Sequence, residues 1–181
     1  KANRAVVVDE EAKTKLYQPL PWQKMLLGTP DDIPVICLAG GRAGGKTTAL
    51  VLFTIREVLR HGPAFEGVLL RRDLAGLKRI VAELEQQMAV IPQLQGSSYK
   101  VGERRFEFAN GATLACGHIK DEKSFGKYQG GNLTYLAIDE AAQLPDPAPL
   151  LRVMSSMRTT AQGVVPKVIL TANPNNSGSW W

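Results

Sequence analysis

The segment VICLAGGRAGGKTTALVLF, residues 35–53, constrains the chain more than any other. Two apolar runs flank four glycines in six positions, and Lys46, Thr47 and Thr48 follow directly. A plain turn between core elements needs one or two glycines. Here the spacing is Gly40, four residues, then Gly45-Lys46-Thr47. A strand ending near Ala39 and a helix opening near Gly45 would make the loop a cradle, because glycine admits positive φ and lets backbone N–H groups close on an anion. The helix N-terminus adds unpaired N–H groups and a positive dipole. Gly40, Gly41, Arg42, Ala43, Gly44, Gly45, Lys46, Thr47 and Thr48 are therefore the expected nucleotide-phosphate residues. Lys46 would reach the β- and γ-phosphates of ATP, and the Thr47 hydroxyl would ligate Mg2+. A glycine-rich surface turn that happens to precede a lysine would not explain the core-forming runs on both sides.

The rest of the chain alternates strand and helix signals. The residues through Lys15 are charged and aperiodic, an arm or a loose helix, and PWQKMLL then reads as a short helix with Trp22, Met25 and Leu26. IPVICLAG has the continuous apolar character of a strand buried on both faces. The helix from Gly45 stops at His61-Gly62-Pro63. EGVLLRR is a second strand, and an amphipathic helix follows with Asp73 as N-cap and Leu74, Leu77, Val81, Leu84 and Met88 on one face. RRFEFANGATLACGHI reads as an antiparallel hairpin turning at Asn110-Gly111. LTYLAIDEAAQLP holds a strand ending in two acids, residues 146–157 are partly helical, and Val168 to Ala172 form a last strand. Such alternation argues for a mainly parallel sheet with helices on both faces and ligands at the C-terminal strand ends.

Three motifs fall at such ends: Gly40 to Thr47, Asp139-Glu140, and Thr171 to Pro174. Adjacent acids closing a buried strand are costly unless a cation or a proton uses them. Asp139 would bind Mg2+ through water, and Glu140 would polarise a water for in-line attack on the γ-phosphate. The bland alternative is a pair of solvated acids opening the next helix. No guanine-reading Asn-Lys-x-Asp segment occurs, so hydrolysis of ATP is expected, with Glu140, Lys46 and Arg42 as catalytic candidates. Arg42 is placed to touch the γ-phosphate or to brace a neighbouring loop, or it is simply exposed at a loop tip. Gln23 is either an adenine-reading glutamine or a surface residue on a short helix, and Trp22 is a core side chain rather than a stacking platform. Thr171 or Asn173 would sense the phosphate and relay its loss. The stretch from Lys120 to Asn132, with its charges and three glycines, is a mobile contact loop or a solvated connection.

Composition sets wider bounds. The 181 residues suit one domain, and a chain of that length buries roughly 70% of its unfolded surface. No apolar run approaches the ~18 residues that cross a bilayer, and no signal-peptide pattern opens the chain. It starts at Lys1, not Met, so a fragment or a processed chain is expected. Cys37 and Cys116 lie in apolar strand segments with no metal-ligand spacing, and are expected to be reduced core thiols in a cytosolic setting. The net charge of +5 favours a polyanionic partner only weakly.

These residues together resemble the large terminase subunit of tailed bacteriophages, the motor that packages viral DNA. The matching elements are the Gln23 region, GGRAGGKT (Gly40 to Thr47), LLRR (Leu69 to Arg72), FANGATL (Phe108 to Leu114), KYQGG (Lys127 to Gly131), LAIDEA (Leu136 to Ala141), Arg158 in SSMR, and LTANP (Leu170 to Pro174). The resemblance covers nearly the whole chain. It implies an α/β fold: a three-layer RecA-like P-loop ATPase, with a mainly parallel central sheet plus an antiparallel hairpin, over residues 1–181 as one domain. By similarity Lys46, Thr47 and Asp139 hold Mg-ATP, Glu140 directs water, and TANP is the coupling motif. Family members grip double-stranded DNA, assemble as a ring on the viral portal, work with a small terminase subunit, and take an arginine from the neighbouring subunit. Lys127, Arg104, Arg105 and Arg158 are the candidates for that trans-acting role. The implied setting is the cytoplasm of the infected bacterial host, transiently on the procapsid. Large terminases continue into an RNase H-like nuclease domain, whereas this chain stops just past TANP, so an ATPase-only fragment or a shortened protein is expected, without DNA cutting. A helicase-like translocase and a nucleotide-dependent assembly module are the alternatives.

Overall fold

Apolar residues alternate between the two faces of the central strands, and that alternation builds the layers. In the computed structural model, which describes residues 17–119, 126, 128, 132–144 and 146–173, the strands are β1 (Val35–Ala39), β2 (Glu66–Arg71), β3 (Ser98–Lys100), β4 (Arg105–Glu107), β5 (Thr113–His118), β6 (Tyr135–Asp139) and β7 (Lys167–Ala172). The helices are α1 (Pro21–Leu27), α2 (Lys46–His61), α3 (Leu74–Val90) and α4 (Ala148–Ser156). Along β6, Tyr135 and Ala137 join the core beneath α2 and α3, while Leu136 and Ile138 join a second core with Leu150 and Val153 of α4. The result is three layers, helices over both faces of one sheet.

The strand order is β1-β7-β6-β2-β5-β4-β3. The first five are parallel neighbours, and β4 and β3 extend the sheet antiparallel. The turn between β4 and β5 forms at the expected dipeptide: Gly111 has φ +86°, and Phe108 N donates to Ala112 O at 3.0 Å. Asn110 adds a tertiary reason for its identity, since its Nδ2 donates to Val58 O at 2.8 Å near the end of α2. Asp73 caps α3 by accepting from Gly76 N. Two buried polar contacts lock layers together. Thr54 of α2 shares a hydrogen bond with Tyr135 of β6 at 2.8 Å, and Lys167 at the base of β7 donates to Asp31 O and Ile33 O at 2.6 and 2.9 Å.

Three expectations need correction. The strand β1 is not buried on both faces. It is an edge strand, so Val35, Cys37 and Ala39 on its second face lie beyond the reach of α4 and are exposed. Cys37 is therefore an exposed thiol, not a core one, and only Cys116 is buried. On α3, Leu74 at the rim is 39% exposed and Ile80 is fully buried, because the helix starts outside the core and turns into it. The strand β3 carried no sequence signal, being three residues held by pairing with β4. The N-terminal arm and most of the Lys120 to Asn132 stretch fall outside the described residues.

The two thiols should separate chemically. Burial pushes the Cys116 thiol up to about 12, and thiolate is the reactive form. Alkylation of the folded chain near pH 8, followed by mass spectrometry, is expected to give one adduct, at Cys37, with Cys116 modified only after denaturation. Equal labelling of both would contradict the packing of β5.

Candidate nucleotide-binding site

Because β1, β7, β6 and β2 run parallel, their C-terminal ends share one rim. The chain leaves β1 while Gly40 N still donates to Ala172 O of β7 at 3.3 Å. It then passes through left-handed Ala43 (φ 60°) and Gly45 (φ 75°) before α2 begins at Lys46. Glycine makes the second of these conformations accessible without Cβ strain. Lys46 Nζ spans the loop it belongs to, donating to Gly40 O at 2.8 Å and Gly41 O at 2.5 Å. One residue on, Thr47 Oγ1 donates towards the Asp139 carboxylate at 3.3 and 3.4 Å.

Asp139 closes β6 with only 1% of its surface exposed. A carboxylate at such a depth must be paired and hydrogen-bonded. Thr171 Oγ1 of β7 donates to Asp139 Oδ1 at 2.6 Å, and Arg71 Nη1 of β2 pairs with Oδ2. The Thr171 hydroxyl also accepts from Glu140 N at 3.0 Å. Glu140 has turned left-handed (φ 56°), a strained conformation for a residue with a Cβ. Its carboxylate accepts from Gln143 Nε2 at 2.5 Å and pairs with Arg71 Nη2 at 3.0 Å.

Arg71 thus joins both acids, and its Nε donates to Asp73 at 2.7 Å. Burial alone would lower its pKa, but the Asp73 hydrogen bond and the charges of Asp139 and Glu140 outweigh burial and raise it. Asp73 shifts the other way, below the usual carboxylate range, through Arg71 first and the Gly76 N–H second. Gly76 makes this possible, since a Cβ there would fall on the guanidinium.

The open cleft at this rim has a volume of about 880 Å3. Its wall takes in Gly40 through Thr48, Asp139, Glu140, Thr171 and Asn173, so three motifs separated by up to 133 residues meet. Asn173 Oδ1 is buried there with no hydrogen-bond partner among the described residues. Arg71, Asp73, Arg79 and Gln143 also line it. Of these the sequence reading singled out only Asp73, as a cap, and noted Arg71 within LLRR. A charged pair, Arg71-Arg72, at the end of a buried strand was the available signal. Gln23 does not line the cleft. It is 1% exposed, with its amide bonded to Leu20 N and Gly45 O. Trp22 packs against the core beneath α2. Arg104, just before β4, and Arg105, its first residue, are exposed, and Arg158 is exposed after α4. None of these arginines lines the cleft. Lys127 and Pro174 lie outside the described residues.

The donor set fits Mg2+. A hydroxyl and a carboxylate, both hard oxygen ligands, face each other across the cleft floor. Among the described residues no three His, Cys, Asp or Glu side chains gather into a metal site. The remaining ligands of a cation here would be phosphate oxygens and water.

A parallel sheet with a glycine-rich loop leaving its edge strand, and acids closing a strand two places away, defines a RecA-like fold. The family model described as terminase large subunit, T4likevirus-type, N-terminal, matches residues 37–179, and the chain belongs to that family. Solved structures agree on the fold. A point mutant of the Thermus phage P74-26 large terminase ATPase domain is 17% identical with a TM-score of 0.62, over 91% of this chain and 68% of that one. The large terminase of a thermophilic bacteriophage gives 18% and 0.68, over 87% and 40%, and that of bacteriophage HK97 gives 14% and 0.63, over 86% and 33%. The chain therefore spans well under half the length of those two proteins. No curated protein matches it in sequence.

Thr171 tests the architecture of the floor. Thr171→Val keeps the shape but leaves Asp139 Oδ1 and Glu140 N–H short of a partner, which should cost about 1–3 kcal/mol. Chemical denaturation is expected to register that loss, and Thr171→Ser should recover most of it. Equal stability of the valine variant would mean the bridge carries no weight.

Proposed function

We propose that the chain is the ATP-hydrolysing motor domain of a phage large terminase, and that hydrolysis drives double-stranded DNA into a viral procapsid. One observation carries the reading: Lys46, Thr47, Asp139 and Glu140 meet on one rim, with Thr171 bridging the two acids. Membership of the terminase family supports the packaging role. A structural relative from a thermophilic bacteriophage was solved in complex with ADP, which supports nucleotide as the ligand.

The N–H groups of the glycine loop and the start of α2 would take the triphosphate. Lys46, released from the Gly40 and Gly41 carbonyls, would lie against the β- and γ-phosphate oxygens, and Arg42 stands at the open side of the same loop. Thr47 and Asp139 would hold Mg2+, which when bound neutralises charge on those phosphates. Glu140 would orient the attacking water and accept its proton as the oxygen bonds to the γ-phosphorus and the bond to ADP breaks. To do so its carboxylate must exchange a contact with Gln143 or Arg71 for the water. Asn173, whose buried Oδ1 has no partner among the described residues, and Thr171 would report loss of the γ-phosphate through β7.

In function the domain would work in a ring on the portal, with a small terminase subunit, in the host cytoplasm. One of Lys127, Arg104, Arg105 and Arg158 would complete the neighbour's site. No described helix is long and apolar enough to cross a membrane.

Two measurements test this reading. Glu140→Gln should bind a non-hydrolysable Mg-ATP analogue within about threefold of wild type while turnover falls by about 100-fold or more. An assembly module without hydrolysis would show the same turnover in both. DNA binding, being to the backbone, should weaken steeply with added salt and equally for two unrelated duplexes. Sequence preference would argue against a translocase.

A further inference from the structure

Gln23 stands on the third residue of α1, wedged between that helix and the end of the glycine loop. Its two amide atoms are both engaged with backbone. Oε1 accepts from Leu20 N at 2.8 Å and closes the first turn of α1. Nε2 donates to Gly45 O at 2.9 Å, on the residue that opens α2. That carbonyl also accepts the first helical bond, from Ala49 N at 2.9 Å. Gly45 is left-handed, and a Cβ on it would sit 3.0 Å from Gln23 Nε2, with Leu20 and Trp22 at 3.8 and 3.9 Å. The first turn of α1 is thus the wall against which the last turn of the loop closes.

A glutamine that reads a purine must turn a donor and an acceptor towards the base edge. Gln23 is 1% exposed and stays out of the cleft wall. We infer that Gln23 is a positioning residue, which clamps α1 to Gly45 O and so fixes the shape of the phosphate loop without reading the base. The inference rests on the nucleotide site proposed above. It gives a pattern that an adenine reader would not: phosphate affinity depends on Gln23, and discrimination between bases does not. Pre-organisation is the physical reason, since a loop already held in its binding shape loses less freedom on binding.

The test compares binding of Mg-ATP, Mg-GTP and base-free Mg-tripolyphosphate to wild type, Gln23→Ala and Gln23→Glu, by calorimetry. The glutamate variant preserves size and the acceptor for Leu20 N, removes the donor to Gly45 O, and guards against an alanine variant that fails to fold. Both variants are expected to weaken all three ligands by one common factor, roughly three- to tenfold, with the ATP-to-GTP ratio unchanged. Weakening of ATP alone would overturn the inference and make Gln23 a base reader. Unchanged affinity for all three would overturn it as well. Wild-type protein that binds none of the three would instead remove the nucleotide site itself, so the two failures are distinguishable.

Discussion

A carboxylate with 1% exposure, Asp139, sets the terms for the rim of this sheet. A charge so placed is tolerable only with partners on every side, and the partners come from separate elements: Thr47 from α2, Thr171 from β7 and Arg71 from β2. Each must arrive at the same height. Parallel pairing of β7 and β2 with β6 supplies that alignment, with Ile138 opposite Leu170 and Asp139 opposite Arg71. The glycine loop is then positioned indirectly, because Thr47 follows it by two residues and Gly40 is still tied to β7. The site is a consequence of satisfying one buried acid.

On the proposed reading, the placement of β7 between β1 and β6 would serve to relay nucleotide state as well as to pack the sheet. Thr171 contacts the side chain of Asp139 and the backbone of Glu140, and Asn173 stands two residues on in the same cleft. The N–H of a strained, left-handed Glu140 is held by one hydroxyl. A shift of β7 of a few tenths of an ångström would reach both acids together. Coupling of this kind needs a contiguous set of contacts with more than one arrangement; the contacts here run from Thr171 through Glu140 to Gln143 and Arg71, which both hold Glu140 Oε2.

Much of this was legible in the chain itself. Gly40 to Thr47, Asp139-Glu140 and Asn110-Gly111 are local signals, in which a few neighbouring residues carry the whole physical reason for the conformation. The departures share a different origin. Whether VICLA is a central or an edge strand depends on where β1 falls in the strand order, a property of the assembled sheet that five apolar residues do not encode. Cys37 was misplaced for the same reason. The bond from Gln23 to Gly45 O joins residues 22 positions apart, and that from Arg71 to Asp139 spans 68, so neither contact could be read from spacing. The arginine was visible as a charge at a strand end, but its partners were not.

The first turn of α3 shows what the site asks of the surrounding fold. Glycine inside a helix costs about 1 kcal/mol relative to alanine, and α3 has one at position 76, three residues after its cap. Alanine would suit the helix and exclude Arg71, because its Cβ would fall on the guanidinium. Asp73 offsets part of the loss: one carboxylate caps the helix through Gly76 N and receives Arg71 Nε. Helix start and arginine seat are therefore one structure. A local rule of helix formation is broken where a charge must lie flat across the turn, and local sequence preferences yield at functional sites for this sort of reason. On this argument Gly76 belongs to the site as much as the glycines of the loop after β1 do: it lines the same cleft, bonds Asp73 through its N–H and leaves room for Arg71.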